Sequence, residues 1–265
     1  MNYLTKENLI IGIILLFLYL HECKKEAFTI PKEKLPLIKI NSKSQIAVVT
    51  IMPEKLKPID QLIVQNYKIY CEKNNLALYI FTNSEFNKHN QWNPINSTYE
   101  VMQYKYHICV IYMNQNVIFN NYKIYVNKYI SKYPNSHIIF SKDPINKNIK
   151  FSMNIIIFIN SEWCNKILKK IIDSNNKKYS KHIVEHFGDS LGYHVLLNNT
   201  IQDEAINEKK VDEKTIHKNI SILPAEDIND LASKKTLKKN LIVNISNIPE
   251  KTKYKLIKYI NQDLE

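Results

Sequence analysis

The chain has 265 residues, 45% of them hydrophobic, so it can bury a full core without disulfide or metal staples. It holds only 3 glycines, Gly12, Gly188 and Gly192, which excludes a glycine-rich phosphate cradle of the Walker or Rossmann kind. A net charge of +12 suits nucleic acid, an anionic membrane or a phosphorylated substrate, but the lysines are scattered and interleave with no aromatic stripe, which disfavours nucleic acid.

Leu9–Leu20 is an uninterrupted apolar run. It is shorter than the roughly 20 residues that span a bilayer comfortably and fits a secretory signal or a short anchor. No small-x-small cleavage site follows it, so residues 1–21 read as an uncleaved signal anchor in preference to a cleaved peptide. Four sequons, at Asn96, Asn198, Asn219 and Asn244, permit a lumenal location and also arise by chance in so asparagine-rich a chain. Residues 22–44, polar and carrying Pro31 and Pro36, read as a stem or linker.

From residue 45 the pattern alternates. Gln45–Ile51 is a β-branched apolar run that predicts a buried strand, and Ile59–Asn74 places apolar residues at helical spacing. Leu76–Phe81 predicts a second strand, 98–107 a helix, and 107–112 a third strand that runs into Asn114-Gln115-Asn116. A helix over 122–133, a strand over 136–140 and a strongly apolar strand over 153–159 follow. Ser161 is placed to cap the next helix, with Glu162 early in its first turn. A helix is predicted over 189–198, a charged loop over 201–219, late strands near 220–224 and 241–245, and a basic helix over 251–260. Such alternation implies an α/β sandwich with its ligand at the carboxyl ends of strands.

Of the four cysteines, Cys109 and Cys164 sit in apolar patterns as buried thiols; Cys23 and Cys71 complete no CxxC or metal spacing. His182 and His186 lie four apart without acidic or cysteine partners, which reads as a surface helix more than a zinc site.

Several local patterns occur in an order that resembles the GT-A glycosyltransferases, most closely the fungal and plant family of Golgi galactosyl-, mannosyl- and xylosyltransferases. Ile46-Ala47-Val48-Val49-Thr50 resembles the opening, nucleotide-contacting strand, and Asn66…Tyr70…Asn74-Asn75-Leu76 resembles the helix that follows it. Trp92 is similar to the aromatic residue ahead of the metal motif. Asn114-Gln115-Asn116-Val117-Ile118-Phe119-Asn120 matches Asp-x-Asp-x-x-Ile/Phe-x-Asn with both acids replaced. Asn160-Ser161-Glu162-Trp163 is the most specific match. Asp189-Ser190-x-Gly192 stands where the family has Asp/Glu-Gln-x-Ala, and Val243–Lys251 resembles Val-His-x-x-Gly…Lys with Asn244 in place of the histidine.

The resemblance implies a Rossmann-like GT-A transferase domain over 45–265 that takes a nucleotide-sugar donor and a glycan or glycoprotein acceptor. It implies residence in the Golgi or endoplasmic reticulum membrane with a lumenal domain, and a partner transferase subunit if the chain is non-catalytic. By position, Thr50, Asn114, Asn116, Asn244, Lys251 and Lys253 fall to the donor, Trp92 and Asn154 to the acceptor, and Asp143 and Asp189 to the reacting sugar. Relatives hold Mn²⁺ or Mg²⁺ with carboxylates and the late histidine. Here Asn114, Asn116 and Asn244 offer only neutral carbonyl oxygens, which implies weak metal binding or none. Asp189 would serve equally as a helix N-cap, Trp92 as a core aromatic, and the Asn-Gln-Asn segment as an ordinary polar turn. If the resemblance holds, Asn114, Asn116 and Asn244 converge on one cleft beside Thr50.

Overall fold

A computed structural model describes residues 38–82, 93–121, 123–142, 152–175, 215–217, 219–228, 230–233, 237 and 239–264, all within the unit Pro36–Glu265. Among them the chain opens with β1 (Ile38–Ile40), β2 (Ile46–Met52), α1 (Pro58–Lys73), β3 (Ala77–Thr82) and α2 (Asn93–Met102). It continues through β4 (Cys109–Met113), β5 (Val117–Phe119), α3 (Asn127–Lys132), β6 (Ile138–Ser141), β7 (Ser152–Ile159) and α4 (Glu162–Asn175). The last part holds β8 (Thr215–His217), β9 (Ile220–Leu223), α5 (Ala225–Ile228), β10 (Asp230–Leu231), β11 (Ile242–Asn244) and α6 (Glu250–Leu264).

Eight strands form one mixed sheet in the order β1-β3-β2-β4-β7-β6-β9-β8. The strands β3, β2 and β4 are mutually parallel, and β7 runs antiparallel to both β4 and β6. Period-two side-chain alternation splits the apolar runs between two cores. Val48, Leu78, Ile80 and Ile111 face α1 and α6, where they meet Tyr67, Tyr70 and Ile257. Ala47, Val49, Tyr79, Phe81 and Val110 face the other way, against Ile95 and Met102 of α2 and Cys164, Ile167 and Leu168 of α4. A strand buried on both faces needs the continuous apolar sequence that Ile46–Met52 has.

A second sheet of three strands, β10-β11-β5, lies in the α1/α6 core. In it β11 pairs antiparallel with β5, Asn244 opposite Val117, and parallel with β10. This small sheet is the element that positions the candidate site.

Several elements differ from expectation. The helix predicted over 98–107 starts earlier, at Asn93, because Pro94 suits a first turn; Gln103–His107 then forms turns that dock Tyr104 and His107 against Tyr79. The helix predicted over 122–133 shortens to α3, and α6 extends beyond the predicted 251–260 at both ends. Within the predicted linker, Ile38–Ile40 pairs with β3; within the predicted loop 201–219, Thr215–His217 pairs with β9. Asn75 closes α1 in the left-handed region at φ 52°, a conformation Asn tolerates better than most residues. The predicted anchor Leu9–Leu20 and the helix over 189–198 lie outside the described residues. Among the described residues no helix is long and apolar enough to cross a membrane.

Candidate functional site

The site grows from the carboxyl ends of β2 and β4. After Met113 the chain makes a tight turn in which Val117 N–H donates to the Asn114 carbonyl at 3.1 Å and Asn116 N–H donates to Asn114 Oδ1 at 3.0 Å. This is an Asx-type closure, in which a short polar side chain substitutes for a backbone acceptor. The turn is anchored on both sides. Asn114 N–H donates to the Asn154 carbonyl at the start of β7 at 2.8 Å, and Ile245 N–H donates to the Asn116 carbonyl at 2.8 Å.

From below, the Tyr67 hydroxyl of α1 is shared between the carbonyls of Val117 at 2.6 Å and Asn114 at 3.1 Å. Burial pushes the Tyr67 phenol well above its usual range, with smaller contributions from Tyr112 and Cys71. The Thr50 hydroxyl lies close enough to the phenol to oppose that shift, but makes no full hydrogen bond and is itself buried. Asn66, the residue just before Tyr67 in α1, grips β5 at both polar groups. Its Oδ1 accepts from Phe119 N–H at 2.8 Å, and its Nδ2 donates to the Phe119 carbonyl at 2.9 Å and to Asn261 Oδ1 of α6 at 3.0 Å. The ring of Tyr70 stacks on Phe119 at 3.7 Å between centroids. The Asn66…Tyr70 pattern therefore locks β5, and with it the Asn-Gln-Asn turn, onto α1.

Asn244 ends β11 beside this turn. It is fully buried, and its Oδ1 accepts from Ser246 N–H at 2.9 Å and from Ser246 Oγ at 2.6 Å. Asn244 therefore lies beside the Asn114–Asn116 turn, paired opposite Val117, but the three side chains do not share one cleft wall: of them only Asn116 lines the cleft that adjoins the turn.

An open cleft of about 260 Å³ adjoins them, lined by Pro53, Lys57, Asp60, Gln115, Asn116, Ile245, Glu250 and Lys253 among others. Two helix N-termini frame it, those of α1 and α6. Asp60 Oδ2 accepts from Lys57 N–H at 2.9 Å, which caps the first turn of α1 behind Pro58. Of the residues expected at the donor, Asn116 and Lys253 line the cleft. Thr50, Asn114 and Asn244 stand behind it as supports, and Lys251 points out to solvent. Asn154 contributes its carbonyl to Asn114. Trp92, Asp143 and Asp189 lie outside the described residues.

The residues that sequence reading missed are Lys57, Asp60, Gln115 and Glu250. Pro58 followed by Asp60 marks a helix start just after a buried strand, and that signal locates the wall they build. The strongest motif match has a different place. Asn160 Nδ2 donates to the carbonyls of Met102 at 2.8 Å and His107 at 2.7 Å, and Ser161 Oγ caps α4 through Cys164 N–H at 3.2 Å. These residues sit beyond the far end of β7 from Asn154, six residues and about 20 Å away at Asn160. Asn160-Ser161-Glu162-Trp163 therefore builds the fold and not the site.

A divalent cation does not fit the three asparagines. Hard cations of this kind take several oxygen ligands, usually including carboxylates. Here the amide oxygens of Asn114 and Asn244 already accept N–H and O–H donors, and neither carries charge. Among the described residues no three His, Cys, Asp or Glu side chains gather in metal-binding proximity.

No family model and no curated protein matches the chain. Solved structures do. A glycosyltransferase involved in glycosylation of the major capsid of PBCV-1 superposes at a TM-score of 0.60 and 10% identity, over 81% of this chain and 98% of that one. The glycosyltransferase GlyE of Streptococcus pneumoniae TIGR4 superposes at 0.50 and 14% identity, over 83% of this chain; the chain spans 63% of GlyE's length. At such low identity the likeness speaks for architecture alone. The chain has a GT-A-like glycosyltransferase fold.

Proposed function

We propose that this chain is a glycosyltransferase that binds a nucleotide-sugar donor, UDP- or GDP-linked, in the cleft between the first turns of α1 and α6. The observation that carries this reading is the pairing of β5 with β11. It brings the Asn114–Asn116 turn, Asn244 and Lys253 together at the carboxyl ends of β2 and β4, where open α/β sheets hold their ligands. The sugar is a hexose, moved to a glycan with retention of anomeric configuration, in keeping with the Golgi family that the motifs resemble. In this reading Asp143 and Asp189 serve the reacting sugar, Trp92 and Asn154 the acceptor side, and residues 1–21 hold a lumenal domain at a Golgi or endoplasmic reticulum membrane.

The chemistry required of the protein is modest in kind. The bond from the anomeric carbon to the diphosphate breaks, the acceptor hydroxyl oxygen bonds that carbon, and its proton leaves to a base or to the departing phosphate. Most of the barrier reduction in such a reaction comes from positioning and from stabilising charge on the diphosphate. A transfer assay with the full chain, UDP- and GDP-hexoses and a panel of oligosaccharide acceptors tests the reading, with the product's anomeric configuration read by NMR. Formation of an α-linked product from an α-linked donor is the expected result; failure to bind any of these donors ends the reading.

One observation favours a second reading, a non-catalytic relative that supports a partner transferase. The amide oxygens at two of the three metal positions are tied into local turns. In that case donor binding persists with no turnover, and activity appears only with the partner.

A further inference from the structure

We infer that the cleft carries its nucleoside diphosphate without a divalent cation, through the ammonium groups of Lys57 and Lys253. The inference rests on the donor-site reading above and adds to it the source of positive charge.

Three observations lead there. First, the positions that face the diphosphate in a metal-dependent GT-A site hold amides here, and the oxygens of Asn114 and Asn244 are already hydrogen-bonded. Second, the cleft has two lysines in its lining, one on each wall. Lys57 immediately precedes α1, and Lys253 is half-buried in the first turn of α6, next to Ile245 and Asn116. Third, those walls are the N-termini of a 16-residue and a 15-residue helix, whose first-turn N–H groups and dipoles favour an anion between them.

Two carboxylates share the lining and act against this arrangement. Asp60 is turned back onto the Lys57 N–H at 2.9 Å; Glu250 and Lys57 are both exposed, where water and salt screen them alike, so the half-buried Lys253 carries the larger share of the charge. Neither has a third acidic or histidine neighbour among the described residues with which to build a cation site. The geometry also separates two neighbouring lysines. Lys253 faces the cleft, whereas Lys251 is exposed and absent from its lining.

Calorimetric titration of the full chain with UDP and with GDP, in EDTA and again in MnCl₂, decides the matter. Affinity that is the same in both buffers is expected. Lys253→Ala and Lys57→Ala each weaken binding roughly ten- to a hundredfold, the range for one charge-assisted hydrogen bond, while Lys253→Arg restores most of it. Lys255→Ala, at an exposed lysine of α6 outside the cleft lining, leaves affinity unchanged. Circular dichroism of each variant shows that the fold is retained. Binding that requires Mn²⁺, or that survives Lys253→Ala, overturns the lysine assignment and leaves the donor cleft standing. No binding of either nucleotide in either buffer overturns both.

Discussion

Replacing Asn66 by leucine tests the physical link between helix α1 and the candidate site. The side chain is fully buried and makes three hydrogen bonds: from Phe119 N–H at 2.8 Å, to the Phe119 carbonyl at 2.9 Å and to Asn261 Oδ1 at 3.0 Å. Leucine has a similar volume, so packing changes little. What remains is a backbone N–H, a backbone carbonyl and an amide oxygen without the partner that Asn66 gave them. Each orphaned buried group costs about 1–3 kcal/mol, which sums to roughly 3–9 kcal/mol. That is a large share of the 5–15 kcal/mol typical of a domain. Urea denaturation followed by circular dichroism measures the loss. Asn261→Ala removes only one of the partners and should cost about 1–2 kcal/mol, and the double variant should show strong coupling because both act on one network. A loss below about 1 kcal/mol for Asn66→Leu would refute the claim that this network fixes β5.

Tyr67→Phe removes the hydroxyl shared by the Asn114 and Val117 carbonyls but keeps the ring, and should cost about 1–2 kcal/mol in the same assay. His107 is neutral in the folded state: Nδ1–H donates to the Ser44 carbonyl at 2.6 Å, and Nε2 accepts from the Tyr79 hydroxyl at 2.8 Å. Burial lowers its pKa below 6.5; the Ser44 carbonyl opposes this and nearby Lys39 adds to it. Below 6.5 the unfolded chain therefore binds a proton that the folded chain refuses, and stability drops as pH falls from 6.5 toward the lowered folded value. Urea midpoints at neutral and mildly acid pH should show a smaller drop for His107→Gln than for the native chain. Cys71, Cys109 and Cys164 are buried with thiol pKa values pushed up by burial, so a thiol-reactive dye should label none of them before urea unfolds the chain.

The sheet was legible because its central strands are buried on both faces, and Ile46–Met52, Ala77–Thr82 and Ile155–Ile159 within β7 are almost wholly apolar runs. The short elements were not. Val117–Phe119 is three residues long and reads equally well as a motif tail, and only its pairing with Ile242–Asn244 makes it a strand. In the same way, the place of Asn244 beside the Asn114–Asn116 turn follows from an ordered resemblance and not from spacing, since over a hundred residues separate it from that turn. Lys57 illustrates the limit: it looks like an ordinary exposed lysine until two helix N-termini are brought to one cleft. Asn160-Ser161-Glu162-Trp163 shows the converse, because the most specific pattern in the chain serves to cap α4 and tie down the Met102–His107 turn.

The central claim is that a nucleoside diphosphate sits between the first turns of α1 and α6, against the Asn114–Asn116 turn. Hydrogen–deuterium exchange of the full chain with and without saturating UDP or GDP tests it most directly, because it reads location independently of turnover. The account predicts slowed exchange confined to residues 57–61, 113–117 and 245–253, with Ile159–Cys164 unchanged. Protection at Asn160–Trp163 with none around Asn116 and Lys253 would contradict it.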